Sequence, residues 1–240
     1  MENLNIALIG CGMIGREHIE RIQNRIRNAR IVAVCDVFEE GAKKGAEIAG
    51  AGTKVYTDFN KAINDPDVNA VVVTTPGQFH KGPVLAAIKA GKPVFCEKPL
   101  ATTLEDAKKV VEAEKASGKR LLQIGFMRRF DPDYIKMKKI LDSGELGAPL
   151  MAHCISRTRS HPKNHTTEQH ITNIAIHEID ICRWLLGENL NEVAVRFPRA
   201  TCFAEGTCQD PQLVLMQSDS GVLIDVEVSG KRYYGYEILC

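Results

Sequence analysis

The sequence predicts an α/β chain in which a doubly wound parallel sheet is followed by an α+β domain with a mostly antiparallel open sheet. Short apolar runs alternate with helical patterns through the first half of the chain, as in repeated strand-helix-strand units. After Arg129, strand-like segments follow one another with short links, which is typical of antiparallel sheets. These patterns divide the chain into a first domain at residues 1–126 and a second domain at residues 127–240.

Five continuous apolar runs in the first domain have the composition of strands that are buried on both faces. They are Ile6–Ile9, Ile31–Val34, Ala70–Val73, Pro93–Cys96 and Leu121–Ile124. Helical patterns separate them at residues 13–27, 38–49, 80–90 and 103–117. Because neighbouring parallel strands need crossover connections, this alternation predicts right-handed βαβ units.

The second domain is predicted to combine two helices with a sheet. The helices are expected near residues 132–142 and 168–186, with a polar loop at residues 157–167. Strand composition occurs near residues 149–156 and again at 191–199, 212–217, 222–228 and 234–240. The second helix would cover one face of this sheet.

Charge and composition narrow the class of partner. Lys and Arg number 31 against 30 Asp and Glu, so the net charge of +1 provides no broad surface for nucleic acid or an anionic membrane. The eight cysteines form no Cys-x-x-Cys pair, and no apolar stretch approaches the length of a membrane helix. We therefore expect a cytoplasmic protein with small-molecule partners and no metal site.

A glycine-rich turn follows the first apolar run and opens the first helical pattern. It reads Gly10-Cys11-Gly12-Met13-Ile14-Gly15, in which the glycines permit a tight turn, close approach of a pyrophosphate and helix-strand packing. Asp36 ends the second strand, where a carboxylate accepts hydrogen bonds from a ribose and repels a 2′-phosphate. The alternative is a structural turn with a helix-capping aspartate. The order of strand, glycines, helix and acid favours a Rossmann site for NAD rather than NADP.

Two further segments are expected at the nicotinamide end of this site. Thr74-Thr75-Pro76 and Glu97-Lys98-Pro99 each follow a predicted strand at its carboxyl end, where open α/β sheets bind ligands. The predicted cofactor contacts comprise the glycine turn, the acid and these segments: Gly10, Cys11, Gly12, Met13, Ile14, Asp36, Thr75, Pro76, His80, Glu97 and Lys98.

The Glu97-Lys98-Pro99-Leu100 segment, placed after such a glycine turn, resembles the signature of the Gfo/Idh/MocA oxidoreductase family. The resemblance covers nearly the whole chain and is closest to the bacterial members that oxidise inositol, on four further segments in the expected order: Phe126–Asp131, Pro149–Met151, His177–Asp180 and Gly235–Glu237. It implies NAD-dependent oxidation of a cyclitol, with myo-inositol giving 2-keto-myo-inositol. It also implies a homo-oligomer, a tetramer in relatives, and a sequence that stops inside the second sheet.

The resemblance assigns catalytic roles to three residues. His177 matches the general base, and Lys98 matches the lysine that holds the reacting oxygen. Asn173 stands where the family places an aspartate beside the histidine, and helical spacing puts it on one face with His177 and Asp180. An amide can orient the imidazole but supplies no negative charge, so we expect lowered activity. The alternative for His177 is a core histidine with no catalytic role.

Further substrate contacts are predicted at Arg128, Ser156, Thr158 and Tyr236, besides Lys98, Asn173 and His177. Arginines near a domain junction are equally often structural ion-pair partners, and Tyr236 has the alternative of an ordinary sheet aromatic. Two other functions stay open at this point. One is a dehydrogenase for another cyclitol or a pyranose, and the other is a catalytically impaired NAD-binding remnant or sensor.

Overall fold

The computed structural model describes residues 3–160, 165–204, 208–230 and 235–240. The chain divides into two compact units, Met1–Gly125 and Phe126–Cys240. In the described residues, no helix combines the length and the apolar character that crossing a membrane requires.

The first unit contains one six-stranded sheet. Its strands are β1 (Leu4–Ile9), β2 (Ala29–Cys35), β3 (Lys54–Tyr56), β4 (Ala70–Val73), β5 (Val94–Cys96) and β6 (Leu122–Ile124). All neighbouring pairs are parallel, in the order β3-β2-β1-β4-β5-β6, which confirms the doubly wound sheet. The strand order reverses between β1 and β4, so their carboxyl ends form the crevice where such sheets bind ligands.

Helices cover both faces of this sheet. They are α1 (Met13–Arg25), α2 (Glu39–Ala49), α3 (Phe59–Ile63), α4 (Lys81–Lys89) and α5 (Leu104–Ala116). Successive residues of β1 enter different cores, since Ala7 and Ile9 pack in one cluster and Ile6 and Leu8 in the other. The continuous apolar runs therefore reflect burial on both faces, as the sequence predicts.

The second unit contains a five-stranded sheet. Its strands are β7 (Met151–Arg157), β8 (Leu190–Arg196), β9 (Gln212–Ser218), β10 (Leu223–Ser229) and β11 (Glu237–Leu239), in the order β11-β7-β10-β9-β8. Three pairs are antiparallel, whereas β7 and β10 run parallel. The sheet is therefore mostly antiparallel, as predicted, with one parallel pair that the sequence pattern did not reveal.

The helix expected over residues 168–186 is interrupted. The structure has α6 (Pro132–Ser143), α7 (Thr167–Gln169), a π-helical segment at His170–Ala175 and α8 (Ile176–Leu186). A π-helical turn contains an additional residue, so regular α-helical spacing cannot be used to place Asn173 on the face of His177. The shared face of Asn173 and His177 stays a prediction: Asn173 is exposed and His177 is half-buried, whereas Asp180 is buried in an ion pair with Arg129.

Candidate functional site

The turn between β1 and α1 leaves no room for side chains on its inner side. Gly10 has a φ of +101°, and a Cβ there would lie 2.6 Å from the Thr75 amide nitrogen. A Cβ on Gly15 would lie 2.0 Å from the Gly10 carbonyl oxygen. A Cβ on Gly12, in contrast, would meet no atom within 4 Å. The turn is thus tightly packed on one side and open at Gly12, the arrangement that a pyrophosphate needs.

The first turn of α1 presents backbone donors for an anion. Gly12 precedes the helix, and no side chain caps its N-terminus. Met13 and Ile14 are both exposed in this turn. Because the first amide groups of a helix have no intrahelical acceptor, they fit an NAD phosphate. Cys11 differs from these residues, since it is buried and burial raises the pKa of its thiol to about 12.

Asp36 connects the end of β2 to the glycine turn. Its Oδ2 accepts a hydrogen bond from the Cys11 amide at 2.8 Å, and its Oδ1 accepts one from the Phe38 amide at 3.0 Å. The half-buried carboxylate is therefore held in position before any ligand binds. Each carboxylate oxygen accepts more than one hydrogen bond, so capacity remains for ribose hydroxyls.

The segment after β4 contains a buried polar atom that has no partner. In the described part of the chain, the Thr75 hydroxyl makes no hydrogen bond although it is buried. The adjacent Thr74 hydroxyl donates to the Gly10 carbonyl at 2.7 Å and ties this segment to the glycine turn. Pro76 is exposed. An unsatisfied buried hydroxyl is costly, so the Thr75 side chain is suited to contact a bound cofactor.

His80 contacts protein carbonyl groups on both sides of its ring. It is 1% exposed, with Nδ1 2.6 Å from the Pro99 carbonyl oxygen and Nε2 2.6 Å from the Thr75 carbonyl oxygen. The sequence predicts a direct cofactor contact here, but both ring nitrogens are already engaged. The structure instead makes His80 a positioning residue that links the segments after β4 and β5.

Glu97 and Lys98 follow β5 directly. The Glu97 carboxylate lies 2.9 Å from His18 Nε2 and accepts a hydrogen bond from the Lys98 amide at 3.3 Å. Burial opposes ionisation of Glu97, but the hydrogen bonds and charges of His18 and Lys98 together outweigh it and lower the pKa of the carboxyl group. Burial lowers the pKa of Lys98, although the charge of Glu97 acts in the opposite direction. A lysine with a lowered pKa gives up its proton more readily, which suits it to proton transfer as well as to charge stabilisation.

His18 is a site residue that sequence reasoning missed. It follows Gly15 by three positions, so the two lie on the same face of α1. That spacing was the available signal, but nothing in the local sequence indicates that Glu97, 79 residues away, is its partner.

Two of the predicted substrate contacts lie in the interior of the second unit. Arg128 is 5% exposed and forms a 2.5 Å ion pair with Glu178, which is fully buried. Ser156 is also buried and lies beside the same carboxylate. This ion pair favours the structural alternative for Arg128, and the substrate contacts of Arg128 and Ser156 stay predictions. Thr158 donates to the Gly230 carbonyl at 3.2 Å, and Tyr236 is exposed, so both stay predictions.

Comparison with protein families matches both units. Residues 4–126 match the model described as "Oxidoreductase family, NAD-binding Rossmann fold", and residues 134–240 match the "GFO/IDH/MocA C-terminal domain". The chain belongs to the Gfo/Idh/MocA family. The open side of the glycine turn agrees with the NAD-binding fold of this family.

The curated relatives within this family include several inositol 2-dehydrogenases. One from Klebsiella pneumoniae subsp. pneumoniae is 45% identical over 238 residues, which are 99% of this chain and 71% of the relative. One from Burkholderia lata is 47% identical over 237 residues, 99% of this chain and 70% of the relative. A solved myo-inositol dehydrogenase from Lactobacillus casei, in complex with NAD(H) and myo-inositol, is 37% identical with a TM-score of 0.94. That match covers 98% of this chain and 70% of the solved chain.

Asp36 gives this family member a testable cofactor preference. We expect NAD to bind at least about tenfold more tightly than NADP, a difference of about 1.4 kcal/mol, because the carboxylate repels a 2′-phosphate. Asp36→Asn should narrow that ratio by removing the charge, whereas Asp67→Asn, at an exposed carboxylate of the same unit, should not. Calorimetric titration of both cofactors measures the ratio. Equal or tighter binding of NADP to the wild type contradicts the prediction.

The buried Arg128–Glu178 ion pair is expected to stabilise the second unit. Arg128→Met leaves the Glu178 carboxylate buried without its partner and should lower the free energy of unfolding by about 3–5 kcal/mol. Lys138→Met removes a pair in which Asp142 is exposed and should cost less than about 1 kcal/mol. Urea unfolding followed by the fluorescence of Trp184, the single tryptophan, reports on this unit. If Arg128→Met lowers the free energy of unfolding no more than Lys138→Met does, the Arg128–Glu178 pair has no structural role. Recovery of stability in Arg128→Met/Glu178→Leu would support a structural role for that pair.

Proposed function

We propose that this protein catalyses the NAD-dependent oxidation of a cyclitol secondary alcohol, converting myo-inositol to 2-keto-myo-inositol. The observation that carries the proposal is 45–47% identity to inositol 2-dehydrogenases over 99% of the chain. It is supported by Lys98 and His177, which the resemblance matches to the lysine and the base of the family, and by a glycine turn with room for a pyrophosphate.

The chemistry divides between two side chains. NAD supplies the hydride acceptor for the carbinol carbon when it is bound. His177 accepts the hydroxyl proton as the carbon-oxygen bond gains double-bond character. Lys98 stabilises the negative charge that develops on oxygen in the transition state. Ketone, NADH and one proton are formed from alcohol and NAD, so atoms and electrons balance.

Steady-state assays with a panel of alcohols test this proposal. The purified chain is incubated with NAD and with myo-inositol, scyllo-inositol or glucose, while NADH absorbance is followed. We expect the highest kcat/KM with myo-inositol. A higher value with glucose would replace the proposal by a pyranose dehydrogenase, and no turnover with NAD bound would support the impaired alternative.

The catalytically impaired alternative is supported by the presence of Asn173 where the family has an aspartate. An amide at this position gives His177 no negative charge to stabilise its protonated form. A catalytically impaired NAD-binding protein would keep its affinity for NAD and show no NADH formation with any alcohol of the panel.

Assembly and compartment are parts of the same proposal. We propose a homo-oligomer, with a tetramer as the expected size, which light scattering after size-exclusion chromatography measures. A cytoplasmic location is consistent with eight free cysteines, since reducing compartments keep thiols unpaired.

A further inference from the structure

Three cysteine thiols converge inside the second unit. Cys154 lies on β7, Cys182 lies on α8, and Cys240 directly follows β11. The Sγ atom of Cys154 lies 3.6 Å from that of Cys182 and 2.9 Å from that of Cys240. All three Sγ atoms lie within 4.8 Å of one another. Residues that are scattered in the sequence thus form one compact set of sulfur ligands.

The register of the sheet explains why two of them meet. β11 runs antiparallel to β7, with Leu239 opposite Ile155. The next pair along this register places Cys240 opposite Cys154, and side chains that are directly opposed across a sheet lie on the same face. Cys154 is 1% exposed, so that face is the buried one.

The third thiol comes from the helix that covers this face. Cys182 is 2% exposed and lies between Ile181 and Leu185 on the buried side of α8. It packs in the same apolar cluster as Cys154, with Cys240 against that cluster. Helix packing therefore sets the third sulfur in place without a sequence motif.

The three sulfur atoms lie close enough together to coordinate one metal ion. Metal-sulfur bonds of about 2.3 Å separate ligand sulfurs by roughly 3.8 Å in a tetrahedral site. The Cys154–Cys182 contact of 3.6 Å is close to this spacing, whereas the Cys154–Cys240 contact of 2.9 Å is shorter and would lengthen on binding. Thiolate is the form that binds metal, and sets of thiolates select soft ions.

We propose that Cys154, Cys182 and Cys240 form a binding site for one soft d¹⁰ metal ion, Zn²⁺ or Cu⁺. Within the described residues, no other group of three His, Cys, Asp or Glu side chains converges in this way. The group contains three protein ligands, which leaves Cu⁺ three-coordinate or Zn²⁺ with one water. The ion would join α8 to β7 and to the segment after β11.

Metal titration of the reduced, metal-free chain tests this site. Zn²⁺ and Cu⁺ are added in separate experiments against a competing chromophoric chelator, in the presence of a phosphine reductant. We expect one tightly bound equivalent in the wild type and a raised melting temperature. Cys154→Ser and Cys240→Ser should each weaken binding by at least about a hundredfold, because one of three sulfur ligands is lost. Cys202→Ser, at an exposed cysteine of the same unit, should bind as the wild type does.

Three results would overturn the proposal. They are a lack of stoichiometric uptake of either ion, equal affinity in Cys240→Ser, and a disulfide between Cys154 and Cys240 that forms in air and persists under the reductant. Cys240 is only half-buried, so its serine variant should fold, and circular dichroism checks this. The ion that the wild type takes up and that Cys240→Ser does not take up shows whether the site binds zinc or copper.

Discussion

Lys98→Met should lower kcat with myo-inositol by about 10²–10³-fold, the usual effect of removing one group that stabilises a developing oxyanion. Methionine keeps the length of the side chain and removes only the charge and the donors. The control is Lys89→Met, which changes an exposed lysine at the end of α4 and should leave kcat unchanged. Steady-state rates and NAD affinity are measured together, because a loss of NAD binding alone would contradict the assigned role.

The pH profile separates this role from simple positioning. Burial lowers the pKa of Lys98, so its ammonium loses a proton at a pH below the ordinary lysine value of 10.5. The charged form stabilises the oxyanion, and the rate should therefore fall as the pH rises through this lowered pKa. That alkaline limb should be absent in Lys98→Met. An alkaline limb that is identical in both proteins would assign it to another group.

Local sequence patterns were sufficient for the central part of the first unit. The apolar run before Gly10, the glycines and Asp36 predict β1, the turn, α1 and the acid, because each lies within a short segment. β3 could not be predicted, since Lys54–Tyr56 is only three residues long and no residue in it is buried. Its place at the sheet edge depends on pairing with β2.

The remaining misses all depend on contacts between distant segments. The sequence pattern assigned Glu178 no role and placed Arg128 at the substrate, so it did not predict their ion pair. The two partners of His80 are backbone carbonyls with no sequence signature. The π-helical segment begins at His170, in a run of residues with modest helix propensity. The periodic apolar pattern over the whole helix does not show this local change. Tertiary packing decides these features, and single-sequence patterns do not contain it.

His177→Ala should lower kcat by about 10²–10⁴-fold, the range that general-base catalysis contributes, while NAD affinity stays nearly unchanged. The histidine lies in the first turn of α8, in the second unit, whereas the glycine turn and Asp36 belong to the first. His153→Ala, at an exposed histidine of β7, is the control and should retain the wild-type rate. Turnover that survives His177→Ala would remove this residue as the base.

Asn173→Asp should raise turnover with myo-inositol by about tenfold, which requires only about 1.4 kcal/mol of added transition-state stabilisation. A carboxylate at this position would favour the protonated imidazole, whereas the present amide supplies no charge to do so. Asn191→Asp adds the same charge at an exposed position on β8 and should change nothing. In the double variant Asn173→Asp/His177→Ala the gain should vanish, because the carboxylate acts through the histidine. If the gain persists there, Asn173 influences the reaction by another route; an inactive wild type that Asn173→Asp restores would instead identify a dehydrogenase disabled at this one position.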